Sequence, residues 1–572
     1  NLAETVHRIR RRRDYLREGK HRQPGGLEDT LFDLKDAGVT LDQIGEALAI
    51  LNVEPVLTAH PTEPTRRTIL RRQKDIVRRL IDMQNDALSP RELSADLDNI
   101  RDDITAIWQT EEHPTEARTV AAEHEHVLFF LTDCIYRMLP VVYETLETAL
   151  EEVWGNAGHG VELPVMVRMA SWIGGDMVGR PEITARTIRD SLARQRSLLL
   201  DLYHRECREL AEKLSQSASR VGISAALEER IRLYSGHFPN ALGITPLRHR
   251  EMRYRVFMRL MMARLESTYT AGLYPFESAD ELAADLRLIV GSLEANRGQH
   301  AGLFAVRRLL RRVETFGFHF MALDVRQEAL VNRGVIGRGL NEPDWLAQTP
   351  AYRLERLRRA LAANESPAGE LDNEARRTIG IFEAIAFCRR RHGKRSIGPY
   401  IISMAEGVDD VLSVLLLAQW GELRKRSGTV PLDIAPAFET IHGLRGAAAL
   451  MRQLYAEPVY REHLEARRRK QTAMPGIADN NVESDLTSAR WVLLKAQREL
   501  LDTARADGVQ LTLFHGRGGA IGAGGGKAHV DIRCAPAGGV EGGVRVIEQG
   551  ELVANKYGVR AIARRTFDPA LA

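Results

Sequence analysis

The sequence predicts a mainly helical α/β protein built on a parallel sheet, and three observations carry that prediction. Amphipathic stretches with apolar residues at three- and four-residue spacing fill most of the 572 residues. Short apolar runs, rich in β-branched and aromatic residues, stand between them and are too short to be helices. The polar residues best suited to chemistry fall just after those runs.

Helices are expected over 65–85, 187–215, 247–267, 279–295, 350–363 and 488–504. Strands are expected over 53–58, 164–170, 318–323, 400–404, 432–438, 472–477 and 509–514. Strands alternating with helices pair in parallel, and near-continuous hydrophobicity means that both faces of each strand are covered. Beyond the strands come Thr58-Ala59-His60-Pro61-Thr62, Gly174-Gly175-Asp176, Asp324-Val325-Arg326-Gln327, Ser403-Met404-Ala405, Glu439-Thr440, Asp479-Asn480-Asn481 and His515-Gly516-Arg517-Gly518-Gly519. Reactive side chains at the carboxyl ends of parallel strands suit a closed β/α barrel and an open doubly wound sheet equally. Seven strands can be counted, and a barrel needs eight.

Composition narrows the class. Lys+Arg at 80 against Asp+Glu at 77 leaves +3, so net charge points to no polyanionic partner. Arginines cluster at Arg10–Arg13, Arg389–Arg391 and Arg467–Arg469, but no nucleic-acid recognition motif accompanies them, and solvated helix faces are the expectation. Cys134, Cys207, Cys388 and Cys534 lie far apart without metal-ligand spacing, which argues for free thiols in a reducing compartment. No apolar run approaches the roughly 20 residues of a membrane span, and the basic first stretch lacks the apolar core of a signal peptide.

Individual residues then suggest chemistry. Read singly, a histidine at a strand end such as His60 is more often structural than catalytic, but its ordinary pKa suits proton transfer at neutral pH. Glu439 and Asp479, each after a strand, offer hard oxygen ligands for Mg²⁺ or Mn²⁺, or equally cap the helices that follow. Arg326 and Arg517 present planar forks to phosphate or carboxylate oxygens. The glycines of 516–526 allow backbone amides to approach an anion. Ile521 and Ala528 rule out a P-loop, and Lys527 rules out a dinucleotide fingerprint. His124-Glu125-His126 lacks zinc-protease spacing and is expected on an exposed helix face. Together these residues suit an anionic phosphorylated substrate held near a divalent metal, without naming it.

The motifs resemble a known family. Val56-Leu57-Thr58-Ala59-His60-Pro61-Thr62-Glu63 looks like the histidine signature of the phosphoenolpyruvate carboxylases, and Phe514-His515-Gly516-Arg517-Gly518-Gly519 resembles their glycine-rich signature. Leu323–Glu328, Ile402–Ala405, Phe438–Thr440, Glu548–Glu551 and Lys556–Gly558 match in family order. The resemblance implies a TIM-type β/α barrel with many additional helices, forming one domain over 1–572 and assembled as a cytoplasmic homotetramer. It implies a carboxy-lyase joining phosphoenolpyruvate and bicarbonate into oxaloacetate and phosphate, through carboxyphosphate and a metal-bound enolate. His60 would be the general base, Glu439 and Asp479 the Mg²⁺ or Mn²⁺ ligands, and Arg326 and Arg517 the phosphoryl-binding arginines. His515, Gly518 and Gly519 would line the substrate. Small molecules would be its ligands, with no nucleic acid or membrane partner.

The sequence also departs from the family. Met177 and Val178 replace an arginine and an aspartate of the second loop, Val482 replaces a lysine, and Ala523 replaces an arginine. Arg180, in place of an asparagine, would restore one positive charge. Family members carry a helical lead-in and a long C-terminal region, and the eighth strand is expected from that region; without it two raw sheet edges would remain, so either the chain is a fragment or another segment or subunit covers the gap. Two alternatives to carboxylation follow: a paralogue that hydrolyses phosphoenolpyruvate or uses another phosphorylated acid, and a non-catalytic homologue that binds a ligand or partner.

Overall fold

The computed structural model describes residues 25–58, 65–113, 119–243, 245–368, 370–426, 428–476, 486–515 and 532–572. Eight parallel strands close into a barrel in sequence order. They are β1 (Val53–Leu57), β2 (Ala170–Ser171), β3 (Ala322–Glu328), β4 (Ile397–Ser403), β5 (Ile434–Phe438), β6 (Lys470–Pro475), β7 (Gln510–His515) and β8 (Val544–Glu548). The fold is the TIM-type barrel with many additional helices that the resemblance implies, and most of the chain is helical.

The expectation that the eighth strand comes from the family's C-terminal region is corrected: a segment of this chain, β8, covers the gap. Val544–Glu548 pairs with β1 from Val53↔Val544 to Leu57↔Glu548, and with β7 from Leu513↔Val544 to His515↔Val546. All five residues of β8 are buried. Arg545 and Glu548 break the apolar run that would mark a strand, yet both are paired inside the protein: Arg545 with Glu54 and Asp324, Glu548 with Lys556. A buried charge is tolerated when it is paired, and that pairing is invisible to periodicity.

Two other strands shift for local reasons. Gly317 and Phe320 both have positive φ, and the Phe320 amide donates back to the Phe316 carbonyl at 2.9 Å, so the chain does not extend until Ala322. Asp324 and Arg326 therefore lie within β3, not beyond it. In the segment before β2 the Met166 amide is taken by the Tyr143 hydroxyl at 3.0 Å. Only the bridge Val53↔Val167 and the pair Ala170–Ser171 remain as ladder.

The helical expectations fare well where caps and periodicity agree. Ala279–Ala295 is helical, and Pro350–Ala362 starts on Thr349, whose hydroxyl accepts from the Tyr352 amide. The 247–267 stretch divides into a 3₁₀ turn at Leu247–His249 and a helix at Arg253–Thr270. His124 does not sit on an exposed face: it is buried with Glu123 in Val120–Phe130. The helical stretch Val120–Ala157 is apolar enough to cross a membrane by length and composition, but 72% of its apolar window is buried inside the protein. It is thus read as a core helix.

The chain divides into two compact units. One comprises Asn1–Ile188, Leu323–Ala386 and Gly398–Ala572; the other comprises Arg189–Ala322 and Phe387–Ile397. In the first, Gly398 is required by space: a Cβ there would lie 2.0 Å from Asp324 Oδ1. The second is organised by buried polar contacts. The Tyr203 hydroxyl donates to the Gly317 carbonyl at 2.9 Å, the Gln195 amide oxygen accepts from the Met321 N–H at 3.1 Å, and Tyr234 donates to the fully buried Asp285 at 2.6 Å.

Candidate active site

The carboxyl ends of β3, β4 and β5 bring together side chains from three different segments. Arg326, on β3, donates from Nη2 to Glu439 Oε1 at 2.6 Å and to Ser403 Oγ at 3.1 Å. Glu439 follows β5 directly and is buried. Its Oε2 accepts from the Ser403 hydroxyl and from the Met404 amide, the latter at 3.2 Å. A longer contact of 3.5 Å joins Arg326 Nη1 to Asp176 Oδ2. Asp176 is itself fixed, since its Oδ1 accepts from the amides of Val178 and Gly179 and its backbone bridges to Arg326.

The approach of β2 to β3 rests on Gly175. A Cβ at this position would lie 2.0 Å from the Asp324 carbonyl oxygen, while its own carbonyl accepts from the Arg326 amide at 2.9 Å. Trp172 then lies against the Arg326 guanidinium, 5.0 Å from ring centroid to Cζ, a cation–π contact. The Trp172 indole N–H donates to Asp324 Oδ2 at 3.2 Å. Asp324 also receives Arg545 Nη2 at 2.6 and 2.8 Å, and Arg545 Nη1 reaches Glu54 at 2.5 Å. A buried Glu54–Arg545–Asp324 triad therefore lies beneath the ring against which Arg326 rests. Burial pushes the Asp324 carboxyl up to about 6, opposed by Arg545 and reinforced by Glu54.

Met404 holds a left-handed backbone, φ +56°, and is 45% exposed. Such a conformation costs a non-glycine residue about 1–3 kcal/mol and persists where surrounding structure enforces it. Here the Met404 amide is held on Glu439. On the far side of the barrel the Glu548 carbonyl accepts from the Thr58 amide at 3.0 Å, fastening the end of β1 two residues before His60.

Of the sequence-predicted site residues, Arg326 and Glu439 are brought into direct contact, and His515 ends β7. His60, Asp479, Arg517, Gly518 and Gly519 lie outside the described residues, as do Val482 and Ala523. The expectation that Arg180 restores a free positive charge is corrected. Arg180 Nη2 is paired with the buried Glu123 and Nη1 contacts Glu182 at 3.4 Å. Met177 is buried, with its sulfur 3.8 Å from Gln327 Nε2. Sequence reasoning assigned no role to Asp176, Ser403 or Trp172, although the first two stood in the quoted strand-end motifs. Contacts across strands, not spacing along one, give them their roles.

Around Arg326 two carboxylates, Asp176 and Glu439, face one guanidinium. Among the described residues no three His, Cys, Asp or Glu side chains cluster as a ligand set. The carboxylates of Asp176 and Glu439 are hard oxygen donors, the type of ligand that a divalent cation takes.

Fold and rim together define a β/α-barrel protein with an arginine and carboxylate cluster at its carboxyl face, the place where such barrels carry out chemistry. A phosphoenolpyruvate carboxylase family model matches residues 1–572, and the chain belongs to that family. It is similar to a protein named phosphoenolpyruvate carboxylase from Xanthomonas euvesicatoria pv. vesicatoria (strain 85-10), 45% identical over 570 residues, covering 99% of this chain and 63% of the relative. Proteins of the same name from Ralstonia nicotianae and Burkholderia mallei (strain SAVP1) are each 33% identical, over 100% of this chain and 60% of theirs. The chain thus spans less than two thirds of the length of these curated relatives.

Proposed function

We propose that this chain is the barrel portion of a phosphoenolpyruvate carboxylase that forms oxaloacetate and phosphate from phosphoenolpyruvate and bicarbonate. The observation that supports the reading best is the Arg326–Glu439–Ser403 cluster at the barrel's carboxyl face. Arg326 is a strong donor to a phosphoryl group. In the proposed sequence a bicarbonate oxygen attacks phosphorus, the enol C–O–P bond breaks, and carboxyphosphate and the enolate of pyruvate result. His60 takes the proton from carboxyphosphate, which splits into CO₂ and phosphate, and the enolate carbon then bonds to CO₂. Arg326 and Arg517 neutralise the migrating phosphoryl charge, with His515, Gly518 and Gly519 lining the phosphate side.

Glu439 and Asp479 would hold Mg²⁺ or Mn²⁺, which supplies positive charge where the enolate oxygen becomes negative. Ser403 and the Met404 amide hold Glu439 in place for this role. Burial of the thiols of Cys134, Cys207 and Cys388, none in a disulfide, supports action in a reducing compartment such as the cytoplasm. A homo-oligomer follows from the family resemblance.

The departures favour a second reading, hydrolysis of phosphoenolpyruvate without carboxylation. Met177 is apolar and Arg180 is held by Glu123, so the second loop supplies no free cation among the described residues. Purified protein with Mg²⁺, phosphoenolpyruvate and labelled bicarbonate separates the two. Labelled oxaloacetate is expected; pyruvate and phosphate without label in a four-carbon acid would overturn carboxylation, and no turnover would overturn both readings for this chain.

A further inference from the structure

The helix after β3 and the turn after β4 are tied together by one ion pair. Arg333 stands on Ala329–Gly339, the helix that follows β3, and Asp410 stands in the first turn of Val408–Trp420, the helix that follows β4. Arg333 donates from Nε to Asp410 Oδ1 at 2.6 Å and from Nη2 to Asp410 Oδ2 at 2.9 Å. Two parallel bonds of this kind fix the orientation of a carboxylate as well as its charge. The Asp410 side chain is fully buried, and that of Arg333 nearly so.

The pair also holds the turn 404–407. Asp410 Oδ2 accepts from the amides of Glu406 and Gly407 at 2.9 and 3.1 Å, and Arg333 Nη2 reaches Glu406 Oε2 at 3.1 Å. On the other side of the turn the Ala405 amide donates to the Ala437 carbonyl of β5, and the Met404 amide to Glu439 Oε2, both at 3.2 Å. Met404, with its left-handed backbone, is thus held from both sides. The residue before Arg333 grips the strand itself: Asn332 Oδ1 accepts from the Tyr400 hydroxyl of β4 at 3.0 Å. A second buried pair stands beside the first, Arg353 Nε donating to Asp409 Oδ2 at 2.7 Å. Arg353 spends its other bond on the Gln348 carbonyl, and among the described residues it makes no hydrogen bond to the turn.

We propose that Arg333 and Asp410 are positioning residues. Their pair sets the turn at Met404 and, through the Met404 amide and the Ser403 hydroxyl, the orientation in which the Glu439 carboxylate is presented to a divalent cation. The inference rests on the reading of Glu439 as a metal ligand. Groups that orient a ligand govern affinity because a carboxylate free to rotate must be ordered when the metal binds.

The test measures Mn²⁺ binding to the full 572-residue chain by electron paramagnetic resonance, without substrate. R333M should weaken Mn²⁺ affinity at least about tenfold. R353M removes an arginine that is buried and paired but does not touch the turn, so it should lower the urea midpoint and leave Mn²⁺ affinity unchanged. Should R333M fail to fold, R333K keeps the charge without the two-pronged contact and should still weaken binding. Parent-like affinity in R333M, or in R333K where that variant stands in for it, overturns the proposal. So does an equal loss of affinity in R353M, because the effect would then belong to buried pairs in general. E439Q separates this inference from the reading beneath it. Mn²⁺ binding that E439Q does not weaken overturns both, whereas binding lost in E439Q and kept in R333M overturns the positioning role alone.

Discussion

Removing Arg545 should unbalance the interior of the barrel in a pH-dependent way. Its guanidinium spans two carboxylates, Glu54 at 2.5 Å and Asp324 at 2.6 Å, and all three side chains are less than a tenth exposed. In R545M both carboxylates remain buried without a counter-charge, and breaking a buried pair from one side costs about 3–5 kcal/mol. The pH dependence follows from Asp324. Its pKa, raised to about 6, means that protonation favours the folded state: that contribution is complete below the ordinary carboxyl value and is lost as pH rises through about 6. Arg545 is the main influence holding the pKa down, so R545M raises it further. The deficit of the variant should therefore widen between about pH 5.5 and about pH 8, by about 1.4 kcal/mol for each unit the Asp324 pKa climbs. Urea unfolding followed by tryptophan fluorescence is the assay, because none of the six tryptophans lies in 189–322 or 387–397. A deficit below about 1 kcal/mol, or one equal at both pH values, would refute the argument that this triad is a coupled buried charge cluster.

The neighbouring contacts give further expectations. G398A should lose about 1–3 kcal/mol from overpacking, because the new methyl would lie 2.0 Å from Asp324 Oδ1; unchanged urea stability would show that the strand gives way freely. H60N should leave phosphoenolpyruvate binding intact and lower oxaloacetate formation at least about 100-fold, and an unaltered rate would remove His60 from the mechanism. E439Q should lower Mg²⁺-dependent turnover at least about 100-fold with an unchanged far-ultraviolet circular dichroism spectrum; retained metal dependence at the parent rate would move the metal elsewhere. R180Q should shift the KM for phosphoenolpyruvate by less than about threefold while lowering thermal stability. Its charge is already matched by Glu123, so a KM rise beyond about tenfold would contradict that pairing.

Much of this protein was legible along the chain, and the illegible parts share a cause. The hydrophobic run Ile434–Phe438 announces itself because a strand covered on both faces can be apolar at every position. Thr349 and Pro350 announce a helix start because capping is a local matter. The gathering of polar side chains at strand ends was readable too: Arg326 and Glu439 were chosen from sequence and stand 2.6 Å apart.

What only the tertiary structure decided is which charges neutralise which. β8 escaped notice because Arg545 and Glu548 look like surface residues until their partners, 491 residues away at Glu54 and eight away at Lys556, are in place. Arg180 looked like a spare cation for the same reason, its partner Glu123 lying 57 residues earlier. Trp172 became a support for Arg326 only when β2 and β3 closed on Gly175. Periodicity records whether a side chain prefers water. The cost of burying a charge depends on the group opposite, and a linear sequence does not say what that group is.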